Sequence, residues 1–100
     1  MVSARGDLDV EAVVYLGRQV ARLQRASGVF VDLWDVTFFD PLGARVLQGA
    51  RQRADGAGWE FAVIAEHDGP VAQELEAAGL LDAIPLFRTK HDARAALRRW

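Results

Sequence analysis

The spacing of apolar residues alternates along the chain between strand-like and helical patterns. A short apolar segment, Val2 to Arg5, predicts one strand that Gly6-Asp7 ends. From Val10 the apolar residues follow the helical period, and Asp9 precedes them as an N-cap whose carboxylate can accept from free first-turn amides. Ser27-Gly28 ends this helix, and its glycine suits the left-handed position after the last turn.

The same alternation repeats to the end of the chain. Strands are predicted in three segments rich in β-branched and aromatic residues: Val29 to Trp34, Trp59 to Ala65 and Ile84 to Phe87. Helices are predicted from Asp40-Pro41 to Asp55-Gly56, from Asp68 or Gly69 to Gly79, and after a Thr89 cap. Because parallel strands need crossover connections, we expect a single α/β domain over residues 1–100, with about four mostly parallel strands and about four helices.

Composition and charge narrow the range of functions. The 100 residues are 51% hydrophobic and 26% charged, which is typical of one globular domain. The net charge of −2 argues against a general nucleic-acid binder. The absence of cysteine excludes disulfides and thiolate catalysis, and no apolar run is long enough to span a bilayer. The N-terminus lacks the apolar stretch of a signal peptide, so we expect a cytoplasmic protein.

No arrangement of side chains in the sequence predicts catalysis. His67 and His91 lack metal-ligand spacing, and the glycines do not form a phosphate-binding loop. We therefore expect no enzymatic activity, no metal and no cofactor. Asp32 and Asp35 follow a predicted buried strand, where a bare carboxylate is costly. We expect a structural role, with Asp32 accepting hydrogen bonds from loop or helix-start amides beside Asp40.

Four separated segments of the chain carry a resemblance to a known family. They are Gly6-Asp7-Leu8-Asp9; Val31-Asp32-Leu33 followed by Val36 to Asp40; Gly43; and a C-terminal third comprising Leu75, Gly79-Leu80, Ile84 to Phe87 and Ala93 to Leu97. Together they resemble the STAS family (sulfate transporter and anti-sigma factor antagonist). The first segment is similar to the family's Gly-Glu-Leu-Asp turn, and Gly43 stands at the glycine of its Asp-Ser-Ser-Gly motif. The resemblance implies a STAS-like fold over nearly the whole chain.

The start of the chain departs from the family pattern. The family has a pair of strands before its first helix, whereas this sequence has room for one short strand, so we expect the N-terminal strand to be shortened or missing. Either the domain is trimmed or the true start lies upstream. An uncovered sheet edge would be open for pairing, including pairing with a second copy in a homodimer.

A second departure concerns phosphorylation. In phosphorylatable relatives, the second serine of Asp-Ser-Ser-Gly accepts phosphate from a kinase-like anti-sigma factor. Here the segment reads Asp40-Pro41-Leu42-Gly43, and Leu42 at the acceptor position has no hydroxyl. A phosphate works as a switch by adding about −1.5 to −2 charge, which a leucine cannot acquire. The nearest hydroxyl, Thr37, is expected to stabilise the turn through a local hydrogen bond.

The resemblance implies that the loop before the second helix binds a partner. The predicted partner-binding residues are Trp34, Thr37, Phe39, Asp40, Pro41, Leu42, Gly43 and Arg45. Pro41 fixes its own φ, which lowers the cost of ordering the loop on binding. In the alternative, Phe38 and Phe39 both turn inward and Asp40 is only a helix cap. Trp34 is equally compatible with an interface anchor and with a core position.

The leading functional prediction is a bacterial, non-enzymatic protein-interaction module of the anti-sigma factor antagonist type, acting in signalling and transcription regulation. It would bind an anti-sigma factor or another regulatory protein through the loop Asp40 to Gly43 and the first turns of the next helix, without a phosphorylation switch at the usual site. One alternative is a STAS subunit of a lipid or anion transporter complex. Another is a sensor for a nucleotide or a small apolar molecule.

Overall fold

Strands and helices alternate along residues 1–97, which the computed structural model describes. The strands are β1 (Val2–Ser3), β2 (Gly6–Leu8), β3 (Val29–Asp32), β4 (Val36–Phe39), β5 (Phe61–Ile64) and β6 (Leu86–Phe87). The helices are α1 (Val10–Leu23), α2 (Leu42–Ala57), α3 (Pro70–Ala77) and α4 (Lys90–Leu97). The predicted α/β class is confirmed. The predicted domain also includes residues 98–100, which lie outside the described part.

The strand pairs of the described residues are all parallel. A four-stranded sheet has the order β1-β3-β5-β6, and β2 pairs with β4 in a second sheet of two strands. Two predicted elements therefore need correction. Gly6-Asp7 begins β2 instead of ending the first strand, and the segment between β3 and Asp40, predicted as a loop, contains β4. Both short strands exist because they pair with each other, which no local pattern reveals.

The central strand β5 shows how the core is organised. All four of its residues are buried, as expected for a parallel strand covered on both faces. Helices α2 and α4 both contact this strand. The largest side chains below 2% exposure come from three strands, three helices and two connections, and include Leu33, Phe39, Leu47, Phe61, Leu75 and Ile84. Burying one such side chain contributes about 1.5–3 kcal/mol relative to leaving it exposed.

Helices α1 and α2 pack side by side and run in the same direction. A Cβ added at Gly17 would lie 3.0 Å from Val46 Cγ1, so the glycine permits a close approach. Further along both helices, Gln24 Nε2 donates to Ala50 O at 2.8 Å, and Arg53 Nε donates to Gln24 Oε1 at 3.0 Å. Gln24 is 6% exposed, and these bonds satisfy its buried amide while fixing the register of the two helices.

Two predicted helix caps are confirmed, and one predicted glycine role is wrong. Ala12 N donates to Asp9 Oδ1 at 3.0 Å, and the Thr89 hydroxyl accepts from an α4 amide at the same distance. Gly28 does not adopt a positive φ. It lies instead against the residue before β5, where an added Cβ would come within 2.8 Å of Glu60 O. The glycine is needed for this close backbone approach.

Replacing Gln24 by alanine tests the clamp between α1 and α2. We expect the free energy of unfolding in urea to fall by about 1–3 kcal/mol, because buried partners lose their hydrogen bonds. Gln73→Ala is the matched control, since Gln73 is exposed and donates to Asp68 O at 3.3 Å. That control should change the free energy of unfolding by less than about 0.5 kcal/mol. Equal losses in the two variants would contradict this role of Gln24.

Candidate functional site

A β-bulge in β4 sets the direction of the side chains before α2. Gly6 pairs with Val36, but the next residue of β2, Asp7, pairs with Phe38, so Thr37 is an extra residue. A bulge bends its strand and redirects the side chains beside it. As a result Thr37 and Phe38 are both exposed, whereas Val36 and Phe39, at either end of the strand, are buried.

The turn into α2 is fixed by hydrogen bonds around Asp40. Asp40 N donates to Leu8 O at 3.0 Å, which joins the end of β4 to the end of β2. The Asp40 carboxylate accepts from Leu42 N at 2.9 Å, and its carbonyl accepts from Gly43 N at 2.7 Å. Pro41 already has helical dihedral angles, with φ −52° and ψ −30°. The Asp40 side chain therefore caps the start of α2, and Pro41, directly before the first residue Leu42, already has helical dihedral angles.

Two of the predicted partner-binding residues lie inside the protein. Phe39 is 1% exposed, and Gly43 is also buried. A Cβ added at Gly43 would lie 2.3 Å from Cζ of Phe39, so the phenylalanine ring occupies the space above the glycine. This corrects the placement of both residues on an exposed surface. Phe39 and Gly43 support the loop from inside the protein, and neither residue is accessible to a partner.

Four apolar residues face outward around this support. Phe38 is 48% exposed, Trp34 is 38% exposed and Leu42 is 37% exposed, and Pro41 is exposed between them in sequence. We call these residues, Trp34, Phe38, Pro41 and Leu42, the loop surface. Because Trp34 is exposed, it does not occupy the core position that the sequence left open as an alternative to an interface anchor. Phe38 is missing from the predicted partner-binding residues. In a regular strand Phe38 would share the buried face of Val36 and Phe39 would be exposed, and the bulge in β4 reverses the two.

The remaining predicted residues flank the loop surface. Thr37 is exposed at the bulge, and the side-chain hydrogen bonds among residues 1–97 include none from its hydroxyl, so the predicted turn-stabilising bond is wrong. Arg45, one turn into α2, is exposed. Asp32 has a structural role, but its Oδ1 accepts from Trp34 N at 3.1 Å instead of from an amide beside Asp40.

The loop surface consists of exposed apolar side chains, and the titratable residues elsewhere in residues 1–97 do not form a metal site. Among residues 1–97, no group of three or more His, Asp or Glu side chains could hold a metal ion. His67 Nε2 lies 3.2 Å from Leu86 O, which ties the β5–α3 connection to the edge strand β6. None of the helices in the same residues is long and apolar enough to cross a membrane. Exposed aromatic and aliphatic side chains on a hydrogen-bonded turn are typical of protein-interaction domains.

Comparison with known proteins identifies the family. The STAS domain model matches residues 1–93, so the chain belongs to the STAS domain family. An anti-sigma factor antagonist from Mycobacterium paratuberculosis matches the structure with a TM-score of 0.82 and 24% identity, over 96% of this chain and 82% of that chain. The anti-sigma factor antagonist SpoIIAA, in its unphosphorylated form, matches with a TM-score of 0.75 and 16% identity, over 98% and 86% of the two chains. These structures establish a shared fold. No curated protein matches the chain in sequence.

Gly43→Ala tests whether the Phe39 ring supports the loop surface. The added methyl group must displace a fully buried ring, and we expect a loss of about 1–3 kcal/mol in the free energy of unfolding. Gly49→Ala, two turns further along α2, is the control, because its Cβ would meet only the flexible Arg53 side chain at 3.4 Å. That variant should gain about 0.5–1 kcal/mol from replacing a helical glycine. A neutral or stabilising Gly43→Ala would contradict the packing.

Proposed function

We propose that this STAS domain is a non-enzymatic interaction module of the anti-sigma factor antagonist type. It binds an anti-sigma factor or a related regulatory protein through the loop surface and the first turn of α2, including Arg45. The observation that supports this most directly is the exposure of Trp34, Phe38 and Leu42 along the segment from the end of β3 to the first turn of α2, where Asp40 accepts a hydrogen bond from Leu42 N. Such a function implies a bacterial, cytoplasmic protein that takes part in transcription regulation.

The geometry of the loop surface suits tight protein binding. Tryptophan and other aromatic residues contribute a large share of the energy at protein interfaces. The backbone beneath them is held by the Asp40 cap, the proline at position 41 and the buried Phe39 ring. A turn ordered before binding loses little further conformational entropy when it contacts a partner, so more of the contact energy appears as affinity.

The same geometry supports binding that does not depend on phosphorylation at the usual site. Leu42 occupies the position of the family's phosphoacceptor, and its half-exposed side chain is aliphatic. The proposed contact is therefore apolar at the place where phosphorylatable relatives acquire negative charge. A kinase-like partner would bind this domain with the same affinity before and after exposure to ATP.

Alanine substitutions on the loop surface test the proposed contact. With a panel of purified anti-sigma factors from the source organism, we expect Trp34→Ala and Phe38→Ala each to raise Kd about tenfold or more. Trp59→Ala is a matched control, because Trp59 is 39% exposed but follows α2 at the opposite end of that helix. Its Kd should stay within about twofold of the original value. Equal effects at Trp34 and Trp59, or no binding to any panel member, would refute the proposal.

Adding ATP and Mg²⁺ to the same binding assay tests the independence from phosphorylation. We expect Kd to be unchanged and the intact mass of the chain to be unchanged, because Leu42 offers no hydroxyl. Leu42→Ser supplies a hydroxyl at that position and is the comparison variant, in which a kinase-active partner should add one phosphate. Release of the original chain by ATP, together with a phosphate on that chain, would overturn this part of the proposal.

A further inference from the structure

Acidic side chains surround the loop surface. Because the strands are parallel, their carboxyl ends lie at one end of the protein, and the residues that follow these ends gather there. Three of them, Asp9, Asp35 and Asp40, together with Asp7 inside β2, form what we call the acidic rim. The carboxylates of Glu66 and Asp68 follow β5 at the same end.

Backbone contacts show that the rim adjoins the apolar residues of the loop surface. Asp7 lies opposite Phe38 in the pairing of β2 with β4. Asp35 follows Trp34 directly, and its carbonyl accepts from Gly6 N at 3.0 Å, which holds it against the start of β2. Asp40 begins the turn that carries Leu42, and its amide donates to Leu8 O, the residue before Asp9. These contacts and the chain sequence place Asp7 beside Phe38, Asp35 beside Trp34 and Asp40 before the turn that carries Leu42.

The arginines of α1 and α2 are concentrated at the other end of the protein. Both helices start at the carboxyl ends of the strands and run back toward the amino ends, so their later turns are distant from the rim. These later turns and the residues just after them carry Arg22, Arg25, Arg51 and Arg53. Three arginines lie at the same end as the rim: Arg5, Arg45 and Arg88, the last of which follows β6. The formal net charge of −2 conceals this separation, because carboxylates outnumber arginines at the end that carries the loop surface.

From this charge distribution we propose that the loop surface recognises a basic polypeptide, whose lysine or arginine side chains face the acidic rim while its apolar side chains contact Trp34, Phe38 and Leu42. The inference rests on the proposed function to the extent that both use the loop surface. Nucleic acids and anionic lipid headgroups carry the same sign of charge as the rim, so they are repelled. A basic protein segment has the complementary sign.

The hydrogen bonds indicate which carboxylates to change. Asp9 and Asp40 cap helices, so neutralising them would also weaken the fold. The side chains of Asp7 and Asp35 are exposed and take part in none of the side-chain hydrogen bonds of residues 1–97. The double variant Asp7→Asn, Asp35→Asn therefore alters the charge of the rim while leaving both caps in place.

The proposal is tested by titrating the isotope-labelled chain with two synthetic amphipathic helical peptides in NMR experiments. One peptide has leucines on one face and lysines on the other, and its twin has glutamates in place of the lysines. We expect the lysine peptide to shift the amides of Trp34, Phe38 and Leu42 and the glutamate peptide to leave them unchanged. The Asp7→Asn, Asp35→Asn variant should bind the lysine peptide about threefold to tenfold more weakly at low salt. In 1 M salt, where the Debye length is about 3 Å, the difference should vanish.

A control with the same change in net charge is Glu76→Gln, Asp82→Asn, since both residues are exposed and lie beyond the first turns of α3, away from the rim. Its affinity for the lysine peptide should stay within about 1.5-fold of the original value. Equal binding of both peptides, shifts outside the loop surface, no binding, or equal weakening in the two double variants would each overturn the inference. If the peptides behave as expected but no anti-sigma factor binds, the proposed function fails while the preference for a basic partner stands.

Discussion

The contact between the Phe39 ring and Gly43 connects β4 to the first turn of α2, beside the exposed residues of the loop surface. The ring is fully buried and fills the space where any other residue at position 43 would place its Cβ. It joins the last residue of β4 to the first turn of α2. The Asp40 cap and the bond from Asp40 N to Leu8 O then complete the turn. With the backbone held in this way, Phe38 and Leu42 remain partly exposed to solvent.

This arrangement explains how a small domain presents apolar residues without unfolding around them. The core draws on both sheets and the helices, including Leu8, Val36 and Phe39 of the smaller sheet, and Trp34 and Phe38 are not among its buried residues. The bulge at Thr37 adds one residue to β4, and that residue turns Phe38 outward and Phe39 inward. The bulge thus determines which of the two adjacent phenylalanine rings is buried and which is exposed. Bulges have this effect because they break the alternation of a strand.

The parallel topology also determines the charge of the same end. Each strand brings the start of the next connection to one end of its sheet, and the connections after β2 and β4 begin with Asp9 and Asp40. Two of the aspartates, Asp9 and Asp40, cap helices, and Asp32 holds the amide of Trp34. Their structural and electrostatic effects coincide because helix N-termini attract negative charge. The exposed apolar residues of the loop surface and these aspartates consequently lie at the same end of the protein.

Local signals in the sequence determined the helices, the central strands and the caps. Asp9, Asp40 and Thr89 stand directly before helical patterns, and their hydrogen bonds reach only the next three residues, so the sequence alone predicts them correctly. The sequence also determined that position 42 has no hydroxyl. The pairing of β2 with β4, the inward position of Phe39 and the close approach at Gly28 were decided by tertiary structure. Each of these features depends on contact with a residue that is not its neighbour in sequence. The local pattern of residues therefore could not predict it.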